Sequence, residues 1–301
     1  MQYLNKTNLP QYLVDWLIND EYDYNTDPFT VSATTLMKPA RAYWLTLRHG
    51  DELQVDVTDL IASRMGTAIH NSIEQIKTPG VTKEQRVTRV VNIDGVDYTI
   101  RGKYDVIVEE SGKRFLHDIK TTSVWAYIYG GKDEDYKKQL SIYRWLLEPT
   151  APIEPVAYID FLFTDWSGSK AKQEDTYPQQ RIIAGYKIEL MSLEETETYI
   201  RQRLLAFFAF KDKSDSDLPS CTKEELWASE DSFAVMKPGA QRATKVCESN
   251  EEALVYIRDK SVKNGYVEFR QGKVKRCKYC SAAPFCSQYK SLQKAGLIDF
   301  F

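Results

Sequence analysis

Two carboxylates and a lysine are the residues of this chain best placed to do chemistry. Asp118 and Lys120 lie in Phe115-Leu116-His117-Asp118-Ile119-Lys120, and Asp105 lies in Gly102-Lys103-Tyr104-Asp105-Val106-Ile107. In an extended strand alternate side chains share a face, so Asp118 and Lys120 point one way and His117 and Ile119 the other. Two neighbouring strands would then set Asp105 beside Asp118. Like charges that close raise one pKa unless a divalent cation neutralises them. An oxygen-rich set suits hard Mg²⁺ or Mn²⁺. Such an ion lowers the pKa of a water and holds a phosphate, and Lys120 adds a fixed positive charge. The plainer alternative is a surface hairpin in which Asp118 and Lys120 only neutralise each other.

Two helical pairs could extend this group. His70 and Glu74 stand four apart in Gly66-Thr67-Ala68-Ile69-His70-Asn71-Ser72-Ile73-Glu74, hence on one side of a helix, and either or both could join a metal shell. Gln139 and Tyr143 share that spacing and could bind a phosphate or orient Lys120. A separate constellation follows near the C-terminus, where Cys277-Lys278-Tyr279-Cys280 and Cys286 form C-x2-C-x5-C. Thiolates at that spacing bind one metal centre from a tight turn, and a fourth ligand completes either a zinc site or an iron–sulfur cluster. Cys221, at a turn before a helix, is the favoured fourth ligand. Cys247, at the end of a strand, reads more as a buried free thiol.

These residues need elements to hold them. Leu9, Tyr12, Leu13, Trp16 and Leu17 predict a helix, followed by the acidic turn Asn19-Asp20-Glu21-Tyr22-Asp23. Ser32 caps a short helix that meets Pro39. Residues 56–77 predict an amphipathic helix with Leu60, Ile61, Met65, Ile69, Ile73 and Ile76 near one face. Alternation over Val87–Ile93 and Val96–Ile100 around Asp94-Gly95 predicts a hairpin. Strands follow over Gly102–Val108 and Arg114–Lys120, a helix over 133–148, and strands over Val156–Thr164 and Arg181–Leu190. A helix over Met191–Lys213 closes the series. This order predicts an α/β fold: a mixed central sheet flanked by helices, with a small cysteine-ligated C-terminal lobe. The boundaries expected are residues 1–55 as an N-terminal helical segment, 56–213 as the core and 214–301 as the lobe.

Composition restricts the function classes. The chain of 301 residues is 43% apolar and 12% aromatic, enough for a real core and against a disordered class. It contains no apolar run long enough for a membrane span, and its first residues do not read as a secretory leader. A formal net charge of −3 excludes a uniformly basic coat for nucleic acid, so any DNA contact is local. Local candidates are Lys273, Lys275, Arg276 and Lys278 around the cysteine turn, preceded by Lys237, Arg242 and Lys245. Trp125, Tyr127 and Tyr129 alternate just after Lys120 and offer faces for unpaired bases, or cap the sheet as core. Five cysteines, three of them in ten residues, favour a metal or cluster over disulfides in a cytosolic chain.

Taken in order, Gly-Thr-Ala-Ile-His, Gly-Lys-Tyr-Asp, His-Asp-Ile-Lys-Thr-Thr and Gln-Leu-Ser-Ile-Tyr resemble the motifs of the RecB-type branch of the PD-(D/E)XK nuclease superfamily. The chain is similar to phage-encoded members of that branch related to the CRISPR-adaptation exonucleases, over about residues 30–290, including Val31–Leu36, Pro39 and Arg41. The resemblance implies a restriction-endonuclease-like fold and a Mg²⁺- or Mn²⁺-dependent deoxyribonuclease. It implies His70, Asp105, Asp118 and the Ile119 carbonyl as metal ligands and Lys120 as the catalytic lysine. Gln139 and Tyr143 match the trailing glutamine–tyrosine motif. Asp118 stands where Glu is frequent, which shortens the ligand's reach. The cysteine spacing is similar to the iron–sulfur motif of those exonucleases, with Cys221, Cys277, Cys280 and Cys286 as ligands. Those relatives take one cysteine from the N-terminal segment, whereas Met37-Lys38-Pro39-Ala40 has none here, so a [4Fe–4S] cluster and structural Zn²⁺ both stay open. The implied role is an exonuclease of phage DNA recombination, repair or processing, in the host cytoplasm. Its partners would be DNA and a single-strand annealing or recombination protein, or a helicase, with no membrane. The rival readings are a non-catalytic DNA-binding or decoy protein that keeps the fold, and a nuclease module of a helicase complex. The chain has no phosphate loop of its own for ATP.

Overall fold

The computed structural model of the chain describes residues 1–20 and 27–298; Glu21, Tyr22 and Asp23 of the expected acidic turn lie outside the described residues. The chain divides into two compact units, Met1–Lys38 with Gln54–Lys211, and Pro39–Leu53 with Asp212–Phe301. No helix among the described residues is long and apolar enough to cross a membrane.

The first unit opens with β1 (Gln2–Leu4), α1 (Gln11–Ile18), β2 (Thr30–Ser32) and α2 (Ala33–Leu36). Ser32 caps α2 by accepting the Thr35 N–H at 3.0 Å. Next in the chain, α3 (Ala40–Arg48) belongs to the second unit, and the first resumes at β3 (Gln54–Asp56). The helix expected over 56–77 starts as a 3-10 turn capped by Asp56 and becomes α4 (Ile61–Glu74). Its apolar face is not sunk in a core: no residue of α4 is fully buried, Ile61 and Met65 stay 40% and 42% exposed, and Ile69 and Ile73 are half-buried.

Five further strands follow: β4 (Val81–Lys83), β5 (Arg86–Ile93), β6 (Val96–Lys103), β7 (Val106–Glu110) and β8 (Lys113–Thr122). The tight turns Asp94-Gly95 and Ser111-Gly112 put both residues at positive φ, between +51° and +84°, the twist that two-residue hairpins require and that glycine accepts without strain. The strand expected over Gly102–Val108 breaks at Tyr104-Asp105, so its two halves enter different sheets. After β8 come α5 (Val124–Ile128), α6 (Asp133–Leu147), β9 (Val156–Phe163), α7 (Gly168–Ala171), β10 (Ile182–Glu189) and α8 (Leu193–Phe208). Asp133, Glu134 and Asp135 fill the first turn of α6, where negative charge complements the helix dipole.

The main sheet runs β10-β9-β8-β7-β4, with β8 and β9 parallel and the other pairs antiparallel. A parallel pair needs a long crossover, supplied here by α5 and α6. A second sheet, β2-β6-β5, is also mixed. Leu140, Ile142, Trp145 and Leu146 of α6 are buried with Ile100, Leu116 and Ile159 from the two sheets and Leu204 from α8. The architecture is the mixed sheet flanked by helices expected from the element order.

In the second unit β11 (Ser232–Met236), β12 (Lys245–Cys247) and β13 (Tyr266–Arg270) form an antiparallel sheet, with α9 (Asn250–Asp259) between the last two and α10 (Ser287–Lys294) near the end. Residues 39–53 join this unit, where α3 inserts the buried Arg41 among carbonyls of the lobe.

Candidate active site and cysteine centre

Register brings the acids of the first unit together. Val106 on β7 pairs with His117 on β8; Asp105 comes just before that ladder and Asp118 just after it along β8, close enough for the charge of Asp118 to act on Asp105. Asp105 Oδ2 accepts the Ile119 N–H at 2.8 Å, which ties the acid to the neighbouring strand. Asp118 is 2% exposed, and its Oδ2 lies 2.6 Å from Lys120 Nζ, so these side chains share a face as alternation requires. The contact is a charge pair without hydrogen-bond alignment, and Asp118 Oδ2 has no aligned donor among the described residues.

Helix α4 delivers His70 to the same place. Its Nε2 lies 3.3 Å from the Ile119 carbonyl oxygen, and its Nδ1 lies 3.6 Å from Asp105 Oδ1. Glu74 does not join: it is turned to Lys103 at 3.4 Å. The acid beside His70 is Glu84, with Oε1 3.0 Å from Nδ1, and ligand atoms of His70, Glu84 and Asp105 lie mutually within 4.8 Å. No spacing in the sequence signals Glu84, because its position depends on a left-handed turn between β4 and β5. Gln139 on α6 reaches Asp118 Oδ1 with its amide nitrogen and Lys120 Nζ with its amide oxygen, both at 3.4 Å. Tyr143, one turn on, is 6% exposed and packs under β6; a Cβ on Gly102 would come 2.4 Å from its Cε1.

Electrostatics match this geometry. Burial, followed by the charge of Asp118, pushes the Asp105 carboxyl up to about 7 against the pull of His70, the Ile119 N–H and Lys120. The Glu84 hydrogen bond is the largest influence raising His70. A buried oxygen without an aligned donor, a carboxyl pushed up toward neutral pH and an imidazole converge where β7 begins beside the middle of β8. That donor set fits a hard dication with imidazole as a borderline ligand.

The aromatics after Lys120 are helical, not alternating. Ser123 caps α5, and Asp165 accepts both the Ser123 hydroxyl and the Val124 N–H. Tyr127 packs on Phe161 and Phe163, whereas Tyr129 is 79% exposed and stacks on Trp125 at 5.9 Å.

In the second unit, Cys221, Cys277, Cys280 and Cys286 line one apolar hollow. Cys247 lies apart, buried with Val235 and Ala253 under the small sheet. None of the five is in a disulfide. Burial pushes the Cys221 thiol up to about 12 and that of Cys277 to about 11, so thiolates there would need a bound cation. No three of the cysteine sulfurs lie mutually within 4.8 Å among the described residues. Arg41, named above only within the family resemblance, is 4% exposed, and its Nε donates to Cys286 Sγ at 3.2 Å.

An acid just before one strand and an acid and a lysine on one face of its neighbour make up the kind of set that metal-dependent nucleases use. The profile of the PD-(D/E)XK nuclease superfamily matches residues 79–287, and the chain belongs to that superfamily. A solved structure described as "Crystal structure of SSO0001" is similar at 18% identity, covering 65% of this chain and 84% of that one, with a TM-score of 0.46. No curated protein matches the sequence.

Proposed function

We propose that the protein is a Mg²⁺- or Mn²⁺-dependent DNA exonuclease of the RecB-type branch, serving phage DNA recombination, repair or processing in the host cytoplasm. The observation that carries the catalytic reading is the convergence of Asp105, Asp118 and His70 with Lys120 at the start of β7 and along β8. His70, Asp105, Asp118 and the Ile119 carbonyl would hold the ion. A hard dication there supplies Lewis-acid polarisation of a phosphodiester and an acidified water. Lys120, tethered by Asp118 and Gln139, presents its ammonium to the phosphate and offsets negative charge as it develops. Gln139 keeps that lysine and Asp118 in register through its amide. Tyr143 supports the segment that carries Asp105 from beneath Gly102. Tyr129, exposed and stacked on Trp125, offers a ring face to unpaired bases. The partners of this reading are DNA and a recombination or single-strand annealing protein, or a helicase.

At the cysteines the reading is a [4Fe–4S] cluster. Tetrahedral zinc with Zn–S bonds of about 2.3 Å draws its sulfurs to roughly 3.8 Å apart. Structural Zn²⁺ at the same four thiolates is the alternative. Either centre would staple a lobe with little apolar core of its own.

Purified protein incubated with Mn²⁺ and linear or covalently closed circular DNA tests the activity: linear DNA is expected to be degraded and closed circles spared. Cleavage of closed circles at the same rate refutes the exonuclease reading, and no cleavage of either refutes the nuclease. An absorption spectrum with iron and zinc analysis decides the cysteine centre.

A further inference from the structure

Glu84 belongs to none of the acid–lysine or helical pairs that define the site, yet its backbone and both carboxylate oxygens are committed to it. It holds φ at +52°, in the left-handed region that costs a non-glycine residue about 1–2 kcal/mol. Its N–H donates to the Asp105 carbonyl at 2.9 Å, which fixes the turn against the segment carrying that acid. The side chain is 9% exposed: Oε1 meets His70 Nδ1 at 3.0 Å and Oε2 meets Lys103 Nζ at 2.6 Å. Lys103 is held in turn by Glu74 at 3.4 Å. With one oxygen on His70 and the other on Lys103, Glu84 has little left to offer an ion directly.

Its effect must therefore pass through the imidazole. A neutral histidine carries one N–H, and a carboxylate can only accept. Opposite Glu84, that proton belongs on Nδ1. Nε2 of the neutral ring then presents its lone pair beside the Ile119 carbonyl oxygen 3.3 Å away, two acceptors that need a metal ion, or a second ring proton, between them. We propose that Glu84 is a positioning residue that takes the Nδ1 proton of His70 and so turns Nε2 toward the metal, with Lys103 as the counter-ion that keeps the carboxylate in place. The proposal rests on the dication reading of the site. Partners of this kind behind a ligand histidine change metal affinity by about 10–100-fold.

The test is made on the full chain with Mg²⁺ and Mn²⁺ as probes. In wild type saturated with Mg²⁺, long-range ¹⁵N–¹H spectra are expected to show His70 protonated at Nδ1; the chain has 3 histidines, so assignment by single substitution is short. Glu84→Ala is expected to weaken Mn²⁺ binding by about 10–100-fold. Glu84→Gln, whose amide oxygen still accepts from Nδ1–H, is expected to keep the tautomer and recover most of that loss. An Nε2-protonated His70 in the Mg²⁺-loaded wild type overturns the proposal without recourse to any variant. So does Glu84→Ala that binds Mn²⁺ like wild type while Asp105→Ala does not. If wild type and Asp105→Ala bind Mn²⁺ equally, the dication centre itself is refuted, and this role for Glu84 with it.

Discussion

Arg41 gives the sharpest stability test, because it is a cation in the first turn of α3, where the helix dipole disfavours positive charge. It is 4% exposed, and its guanidinium is held entirely by the lobe: Nη1 donates to the Leu218 carbonyl at 2.6 Å and the Pro219 carbonyl at 3.4 Å, Nη2 to Ser287 Oγ at 2.5 Å, and Nε to Cys286 Sγ at 3.2 Å. Leu218 precedes Cys221 and Ser287 follows Cys286, so one side chain clamps both arms of the cysteine hollow. Arg41→Met keeps the volume and removes every donor. The Leu218 carbonyl and the Ser287 hydroxyl are the strongest losses, and each buried group left unsatisfied costs about 1–3 kcal/mol. Taking about 3 kcal/mol as the sum, a domain of order 100 residues loses roughly 10–20 °C in Tm. Arg41→Lys retains the charge but not the planar fork, and one ammonium cannot reach all these acceptors, so it is expected to recover only part of the loss. Calorimetry of wild type and both variants, with iron and zinc measured on the same samples, is the assay. A Tm for Arg41→Met within about 1 °C of wild type, or full recovery by lysine, refutes the clamp.

Two further outcomes are expected. Gly102→Ala puts a Cβ 2.4 Å from Tyr143 Cε1 and 2.9 Å from its Cδ1, and that ring is buried, so the overpacking should cost about 1–3 kcal/mol and lower activity by shifting Asp105; unchanged melting and cleavage would contradict the packing. His49 bonds Asp215 at 2.7 Å and Glu52 at 2.9 Å, with Arg48 also on Asp215 and Phe285 stacked on the ring at 4.1 Å, and the two carboxylate bonds raise it above 6.5. A raised folded-state value means stability that is present below pH 6.5 and lost as pH rises through the folded value; His70 and Asp105 add slope of the same sign, so urea titrations should show a shallower slope in His49→Gln than in wild type, and equal slopes refute the contribution of His49.

Much of this organisation was legible in the residues. Alternation and the turns Asp94-Gly95 and Ser111-Gly112 mark the β5–β6 and β7–β8 hairpins, and β8 of the second carries Asp118 and Lys120. Asp118 and Lys120 share a face because β8 is regular through both. Local signals failed where the outcome depends on a bond to a distant residue. The aromatics at 125, 127 and 129 have strand-like spacing, yet the Ser123 cap and Asp165, far along the chain, turn the segment into α5. Glu84 becomes part of the site through one left-handed residue and a partner on α4. Gln139 and Tyr143 have equal spacing but separate fates: Gln139 meets polar partners along β8, while Tyr143 fills the space that Gly102 leaves. Likewise, Arg41 stands in the sequence only within the family resemblance, and its partners are carbonyls more than a hundred residues away.

The central claim is that Asp105 and Asp118 together hold a dication within reach of Lys120. Its most direct measurement is Mn²⁺ binding by titration calorimetry in wild type, Asp105→Ala, Asp118→Ala and Lys120→Ala, with DNA cleavage followed in parallel. Both aspartate variants are expected to lose the ion and the cleavage, and Lys120→Ala to keep the ion and lose the cleavage. Tight Mn²⁺ binding that survives either aspartate substitution, or cleavage that survives all three, contradicts it.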